Sequence, residues 1–193
     1  MIAQIRGRLI EKTPTYAIID CNGVGYQLNI SLNTYGKIGK EENCKLYAQL
    51  IVREDAQLLY GFFDQSEKQL FQLLISVSGV GAATALTVLS SGTPAEVSEA
   101  IVSGDVSWFK SVKGIGPKSA QRIIIDLKDK VGVGLEMDNF SDSGDNTVKE
   151  EALSALVMLG FNKNQAEKTI GRILKNNSDY GVEEVIKQAL KGL

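Results

Sequence analysis

Histidine is missing altogether from the 193 residues. Without imidazole there is no Ser-His-Asp or Cys-His nucleophile pair, no HExxH zinc site and no histidine proton shuttle near neutral pH. Catalysis would have to rest on carboxylates, lysine or a borrowed cofactor. Cysteine is nearly missing: Cys21 and Cys44 stand 23 residues apart, outside any CxxC pair. That excludes a disulfide framework and a four-cysteine zinc site, and a reducing cytoplasm is the expected compartment. A basic excess is missing as well. The 21 Lys and Arg face 23 Asp and Glu, for a net charge of -2, whereas chains that live on phosphate contacts usually carry positive charge. Arg6 and Arg8 interrupt the opening MIAQIRGRLI, so no export signal is expected. The one long uncharged run, Gln69 to Ala95, spans 27 residues, of which thirteen are Gln, Ser, Thr, Gly or Pro. With Ser78-Gly79-Val80-Gly81 in its middle, it reads as two short buried helices around a turn and not as a membrane span.

What is present is an ordinary globular composition, 44% apolar and 23% charged, in a length that admits one domain or two to three small ones. Residues 1–63 read as strands. Segments at 2–10, 15–21, 24–30, 44–52 and 57–62 are rich in β-branched and aromatic residues and separated by turn signals such as Asn22-Gly23. Five strands imply a small barrel, with Ser31 capping a short helix to Tyr35 that would plug one end. In the fourth strand Cys44, Leu46, Ala48, Leu50 and Val52 fall on the face expected to be buried.

Residues 64–130 read as helices near 66–77, 82–91, 94–103, 106–111 and 117–130. Thr93-Pro94-Ala95-Glu96 combines a capping box with proline at the first helical position, and Gly104 supplies a stop. Residues 131–147 hold three glycines, four carboxylates and no basic residue, the composition of a flexible acidic linker. Residues 148–193 read as three short helices. Thr147 opens the first, with Ala152, Leu153, Leu156 and Leu159 inward. Asn162 caps the second, with Ala166, Ile170 and Ile173 inward. Ser178 or Asp179 precedes the third, with Val185, Ile186 and Leu190 inward.

One internal repeat carries the chemistry. At an offset of 35 residues, Ser76, Val77, Gly79, Gly81 and Ala85 recur as Ser111, Val112, Gly114, Gly116 and Ala120, with Val80 matched by Ile115. Each copy reads helix, Gly-hydrophobe-Gly, helix. Glycine permits a tight turn with positive φ, and the N–H groups that open the following helix favour an anion by donor and dipole alike. Two such turns suit a grip on neighbouring phosphates, with Lys118 and Arg122 on one helical face of the second copy. The first copy has Ala82-Ala83 where the second has Pro117-Lys118. Gly114-Ile115-Gly116-Pro117-Lys118-Ser119 is not an ATP loop, because Pro117 stands where that motif needs glycine before the lysine. Asp126 and Asp129 alternate with Lys128 and Lys130 like a solvated face. An acidic tip, Glu54-Asp55, lies between two apolar strands. Beside a phosphate grip it becomes an electrostatic wedge.

MIAQIRGRLIEK at the start, VREDAQLLYGF at Val52 to Phe62, the paired SGVG and KGIGPKSAQR turns, the acidic linker and LGF at Leu159 to Phe161 together resemble the RuvA family. These are the Holliday-junction-binding subunits of bacterial branch-migration machines. The resemblance covers essentially the whole chain. It implies an oligonucleotide-binding-fold barrel over 1–63, a tandem helix-hairpin-helix domain over 64–130, a flexible linker over 131–147 and a three-helix bundle over 148–193 that docks on the RuvB hexameric ATPase. It further implies a homotetramer or octamer on an open, square-planar four-way junction that RuvC resolves. Phosphate contacts would fall on Gly79, Val80, Gly81, Gly114, Ile115, Gly116, Lys118 and Arg122, and a central acidic pin on Glu54 and Asp55. No catalytic residue, metal or cofactor is expected. The competing reading is a repair glycosylase or nuclease using the same hairpins for grip. By region the charge divides as +1 over 1–63, 0 over 64–130 and -3 over 131–193, so the deficit lies outside the hairpins.

Overall fold

The computed structural model describes residues 2–39, 42–134, 144–177 and 179–192. The chain divides into two compact units, Met1–Asp138 and Asn139–Leu193.

The first unit opens with five strands: β1 (Gln4–Lys12), β2 (Tyr16–Cys21), β3 (Val24–Ile30), β4 (Asn43–Val52) and β5 (Gln57–Phe62). They close into a barrel in the order β1-β2-β3-β5-β4. Closure comes from a parallel pairing of β3 with β5, Leu28 opposite Leu59 and Ile30 opposite Gly61, while the other neighbours run antiparallel. Asn22 (φ 55°) and Gly23 (φ 89°) turn β2 into β3, the left-handed pair that matches strand twist in a two-residue hairpin. At Gly7 two strands approach so closely that a Cβ would lie 2.1 Å from the Asp20 carbonyl oxygen. Only glycine fits there.

Ile5, Ala17, Ile19, Leu28, Ile30, Ile38, Cys44, Leu46 and Ala48 form the barrel core. The alternation expected of β4 holds through Ala48 and then fails, since Val52 is 65% exposed. Its other face is not free either. Tyr47 and Ile51 pack against the helical core, so β4 is shared between barrel and helices.

Five further helices complete this unit: α2 (Gln65–Ser76), α3 (Ala82–Ser91), α4 (Pro94–Ser103), α5 (Val106–Ser111) and α6 (Pro117–Gly134). Thr93 and Glu96 make both halves of the capping box, and Gly104 ends α4 at φ 77°. The expected end of α6 at 130 is too early. The helix continues through 134, where Val131 is buried against the helical core.

A helix between the third and fourth strands, α1 (Leu32–Lys37), joins barrel to helices. Ser31 caps it, and Tyr35 and Ile38 pack on the barrel core. From its other side, the Asn33 side-chain amide donates to the Leu89 and Gly92 carbonyls of the α3 end. Glu67 of α2 is fully buried and accepts hydrogen bonds from the hydroxyls of Ser31 and Thr34, the latter at 2.7 Å. Thr34 Oγ1 in turn accepts from the Phe63 N–H at 3.0 Å.

Burial pushes the Glu67 carboxyl above its ordinary range, against the opposing pull of the two hydroxyls and the Lys37 charge. The folded chain therefore holds this proton more tightly than the unfolded one. The associated stability is fully present below the ordinary value of 4.5 and is lost as pH rises through the raised value. Denaturant unfolding of wild type and Glu67→Gln across that range should show the variant gaining relative stability as pH rises. Parallel profiles would contradict it.

The second unit comprises α7 (Gly144–Met158), α8 (Lys163–Asn176) and α9 (Val182–Gly192). Its core is Ala152, Leu156, Ala166, Ile170, Val185 and Ala189. α7 begins at Gly144, ahead of the cap expected at Thr147. Asn162 caps α8 as expected, accepting from the N–H groups of Asn164 and Gln165. The linker expected over 131–147 falls, for 135–143, outside the described residues, as does Ser178. Two residues expected inward are exposed. Leu159, 61% exposed, lies beyond the end of α7, where Gly160 at φ 95° takes the chain out of helical phase. Leu190, 46% exposed, sits at the edge of a stripe centred on Val185 and Ala189.

Candidate nucleic-acid interface

The 35-residue repeat in sequence is a repeat in backbone. Gly79 has φ 90° and Gly114 φ 91°. Val77 and Val112 cap their helices with φ of -79° and -78°. The Val80 N–H donates to the Val77 carbonyl at 3.0 Å, and the Ile115 N–H to the Val112 carbonyl at 3.2 Å. Each following helix then starts with the same bond, Ala85 to Gly81 and Ala120 to Gly116, both at 2.9 Å. The repeated serines act alike as well, Ser76 Oγ donating to the Leu73 carbonyl and Ser111 Oγ to that of Trp108.

The glycines of each turn divide in role. Gly79 and Gly114 sit in the left-handed region, where a side chain is strained. Gly81, at φ -83°, and Gly116 carry no such requirement, and a Cβ on either would meet nothing within 4 Å. The fold itself does not demand glycine there. What its absence of side chain provides is an open approach to the backbone.

Val80 and Ile115, expected among the phosphate contacts, are placed as the buried anchors of their turns. Their side chains are buried, and their N–H groups donate to carbonyls inside the turn. They pin the loops to the helical core. The available donors are those that no helix satisfies in its own first turn: for α3 the N–H groups of Gly81, Ala82, Ala83 and Thr84, with no side chain capping them. In α6 Pro117 removes one such donor. There Lys118 and Arg122 add exposed positive charge, with Lys113 exposed just before the turn.

The structure also joins the copies in a way the repeat did not foretell. Arg122 Nη1 donates to the carbonyl of Ser78, in the first turn, at 3.2 Å. The first turn, which has Ala83 where the second has Lys118, thereby receives a guanidinium from its sister copy. No local pattern could signal a contact across 44 residues.

Glu54 and Asp55 lie at the tip of the β4–β5 hairpin, both exposed, in a turn closed by the Arg53 N–H on the Ala56 carbonyl at 2.8 Å. Among the described residues neither carboxylate has a salt-bridge partner, so their charge faces solvent undiminished.

Among the described residues no helix is long and apolar enough to cross a membrane. The uncharged run instead forms most of α2, the first turn, α3 and the start of α4.

Known proteins match along the whole length. Residues 1–61 match the family described as RuvA N terminal domain, 71–129 the SAM-like helix-hairpin-helix tandem, and 147–193 the RuvA C-terminal domain. Relatives named Holliday junction branch migration complex subunit RuvA from Flavobacterium psychrophilum and Christiangramia forsetii are each 54% identical over 193 residues, covering all of both chains. That of Bacteroides thetaiotaomicron is 49% identical, again over the full length of both. With a closed barrel, a duplicated hairpin and a terminal helical bundle all matched in order, the chain belongs to the RuvA family.

Proposed function

We propose that this chain is a structure-specific, non-catalytic DNA-binding subunit. It holds four-way (Holliday) junction DNA open and square-planar and recruits the RuvB ATPase for branch migration, with RuvC resolving the product. It works as a homotetramer, or an octamer of two facing tetramers, in the cytoplasm. The observation that carries the reading is the doubled turn, two free helix N-termini held in matching backbone geometry by buried anchors. Such a pair grips phosphates irrespective of base.

Gly79, Gly81, Gly114, Gly116, Lys118 and Arg122 make up the grip, Val80 and Ile115 support it, and Glu54 with Asp55 forms the pin. The RuvB contact falls within residues 148–193, where Val157, Met158, Leu159 and Leu190 are between 42% and 86% exposed. A small unit that leaves this much apolar surface open is suited to docking a partner.

Gel-shift titrations of a four-way junction and a linear duplex of equal length test the proposal. The junction should bind more tightly. Two turns on each of four chains neutralise about eight phosphates, so the hairpins contribute about -7 to the slope of log K against log salt, whereas those of one protomer contribute about -2. Equal affinity for the two DNAs would sink the reading. In the same titrations Glu54→Gln/Asp55→Asn should bind the junction at least as tightly while losing discrimination against duplex, because the pin acts by repelling strands. Unchanged discrimination would reduce the pair to an ordinary solvated turn.

A further inference from the structure

α8 of the second unit carries Lys163, Lys168, Arg172 and Lys175 against one carboxylate, Glu167. It is strongly basic within a region, 131–193, whose net charge is -3. At 3.6 residues per turn, Lys168, Arg172 and Lys175 fall within an arc of roughly 60°. The arc lies diametrically opposite Ala166 and Ile170, which are fully buried. Glu167 lies outside it and is engaged by Lys149 at 3.3 Å. Lys168, Arg172 and Lys175 are exposed and have no salt-bridge partner among the described residues.

A second observation bears on the same face. Gly171 lies between these cations in the helix interior, where glycine ranks near the bottom of helix propensity. Its φ is not left-handed, and a Cβ would meet nothing within 4 Å. Neither backbone conformation nor packing calls for glycine, and the position leaves the helix surface low at the edge of the cationic arc, where Lys168 and Lys175 flank it one turn to either side.

We propose that this face of α8 is a second phosphate-binding surface, which takes the sugar-phosphate backbone of duplex DNA. Lys168 and Lys175 are seven residues apart, about 10 Å at 1.5 Å per residue. Over that length of duplex axis one strand carries about three phosphates, at 3.4 Å of axis each. The charge complements a phosphate row, the recess at Gly171 admits its close approach, and the tether to a unit with its own phosphate grip raises the effective concentration of DNA at α8. The surface needs duplex only, and so goes beyond the junction reading.

Lysine acylation of the full-length chain, read residue by residue by mass spectrometry with and without linear duplex, tests it. Lys168 and Lys175 should lose reactivity together with Lys118, while Lys187 on α9 keeps its own. Protection of Lys118 alone would overturn the α8 surface and leave the hairpin grip standing. Protection of none would overturn both. Equal protection of Lys168 and Lys175 by polyglutamate would overturn the assignment in favour of an acidic protein partner. In Lys168→Ala/Arg172→Ala/Lys175→Ala the salt slope on duplex should become shallower by about 2.7 per bound chain, three phosphates at 0.9 each. An unchanged slope would overturn the proposal.

Discussion

Exchanging Lys118 and Arg122 for alanine should lower junction affinity by about 10² to 10⁴ per engaged protomer. Each is an exposed cation beside a turn whose own donors are backbone amides, and charge-assisted hydrogen bonds contribute about 1.5 to 3 kcal/mol each, with every 1.4 kcal/mol a factor of ten. The fold should survive, because neither side chain is buried and the carbonyl that Arg122 leaves behind belongs to exposed Ser78. Circular dichroism checks that condition, and gel shift reads the affinity. Arg122→Lys separates the two duties of this side chain: it keeps a charge but loses the planar fork that holds the Ser78 carbonyl. If the double alanine variant bound junctions as the wild type does, the grip would lie elsewhere.

Removal of the second unit should abolish stimulation of RuvB while leaving selectivity for junction over duplex intact. The cut belongs at 139, where the compact units divide, and not at 148, which would sever α7 after its first turn. Deletion of residues 139–193 leaves the barrel, both turns and the pin together, so the junction should still bind more tightly than duplex. A narrower variant, Met158→Asp/Leu159→Asp, alters two exposed side chains and should reduce the RuvB response at least about ten-fold, the cost of losing one interface anchor. Full stimulation of RuvB by the truncated chain would refute the modular arrangement.

Much of this molecule was legible because its signals are local. The capping box at Thr93, proline at 94 and glycine at 104 fixed α4 to the residue, and the Gly-hydrophobe-Gly spacing fixed both turns. Where reading failed, the decisive contact was distant or composition misled. Glycines 132 and 134 marked a linker, yet α6 runs through them. Val52 kept the period of a buried face but passed beyond the barrel. The buried Glu67 with its partners on α1, 33 and 36 residues away, and the Arg122 bond across 44 residues leave no periodic trace at all. These long-range contacts are the ones that hold the pin's barrel and the two turns in a common frame.

The burial of Val80 and Ile115 has a kinetic corollary. With these two hydrophobic side chains turned into the core, the start of each helix presents amides and glycine hydrogens, which on the proposed reading would meet every base pair on equal terms. A crossover that travels along DNA brings a different sequence under the grip at each step. A hold that read bases would find some steps sticky and others loose, and the crossover would dwell in the sticky ones. A hold made of backbone amides and cations on phosphates would keep successive steps nearly level in energy, so that a motor would have only friction to overcome.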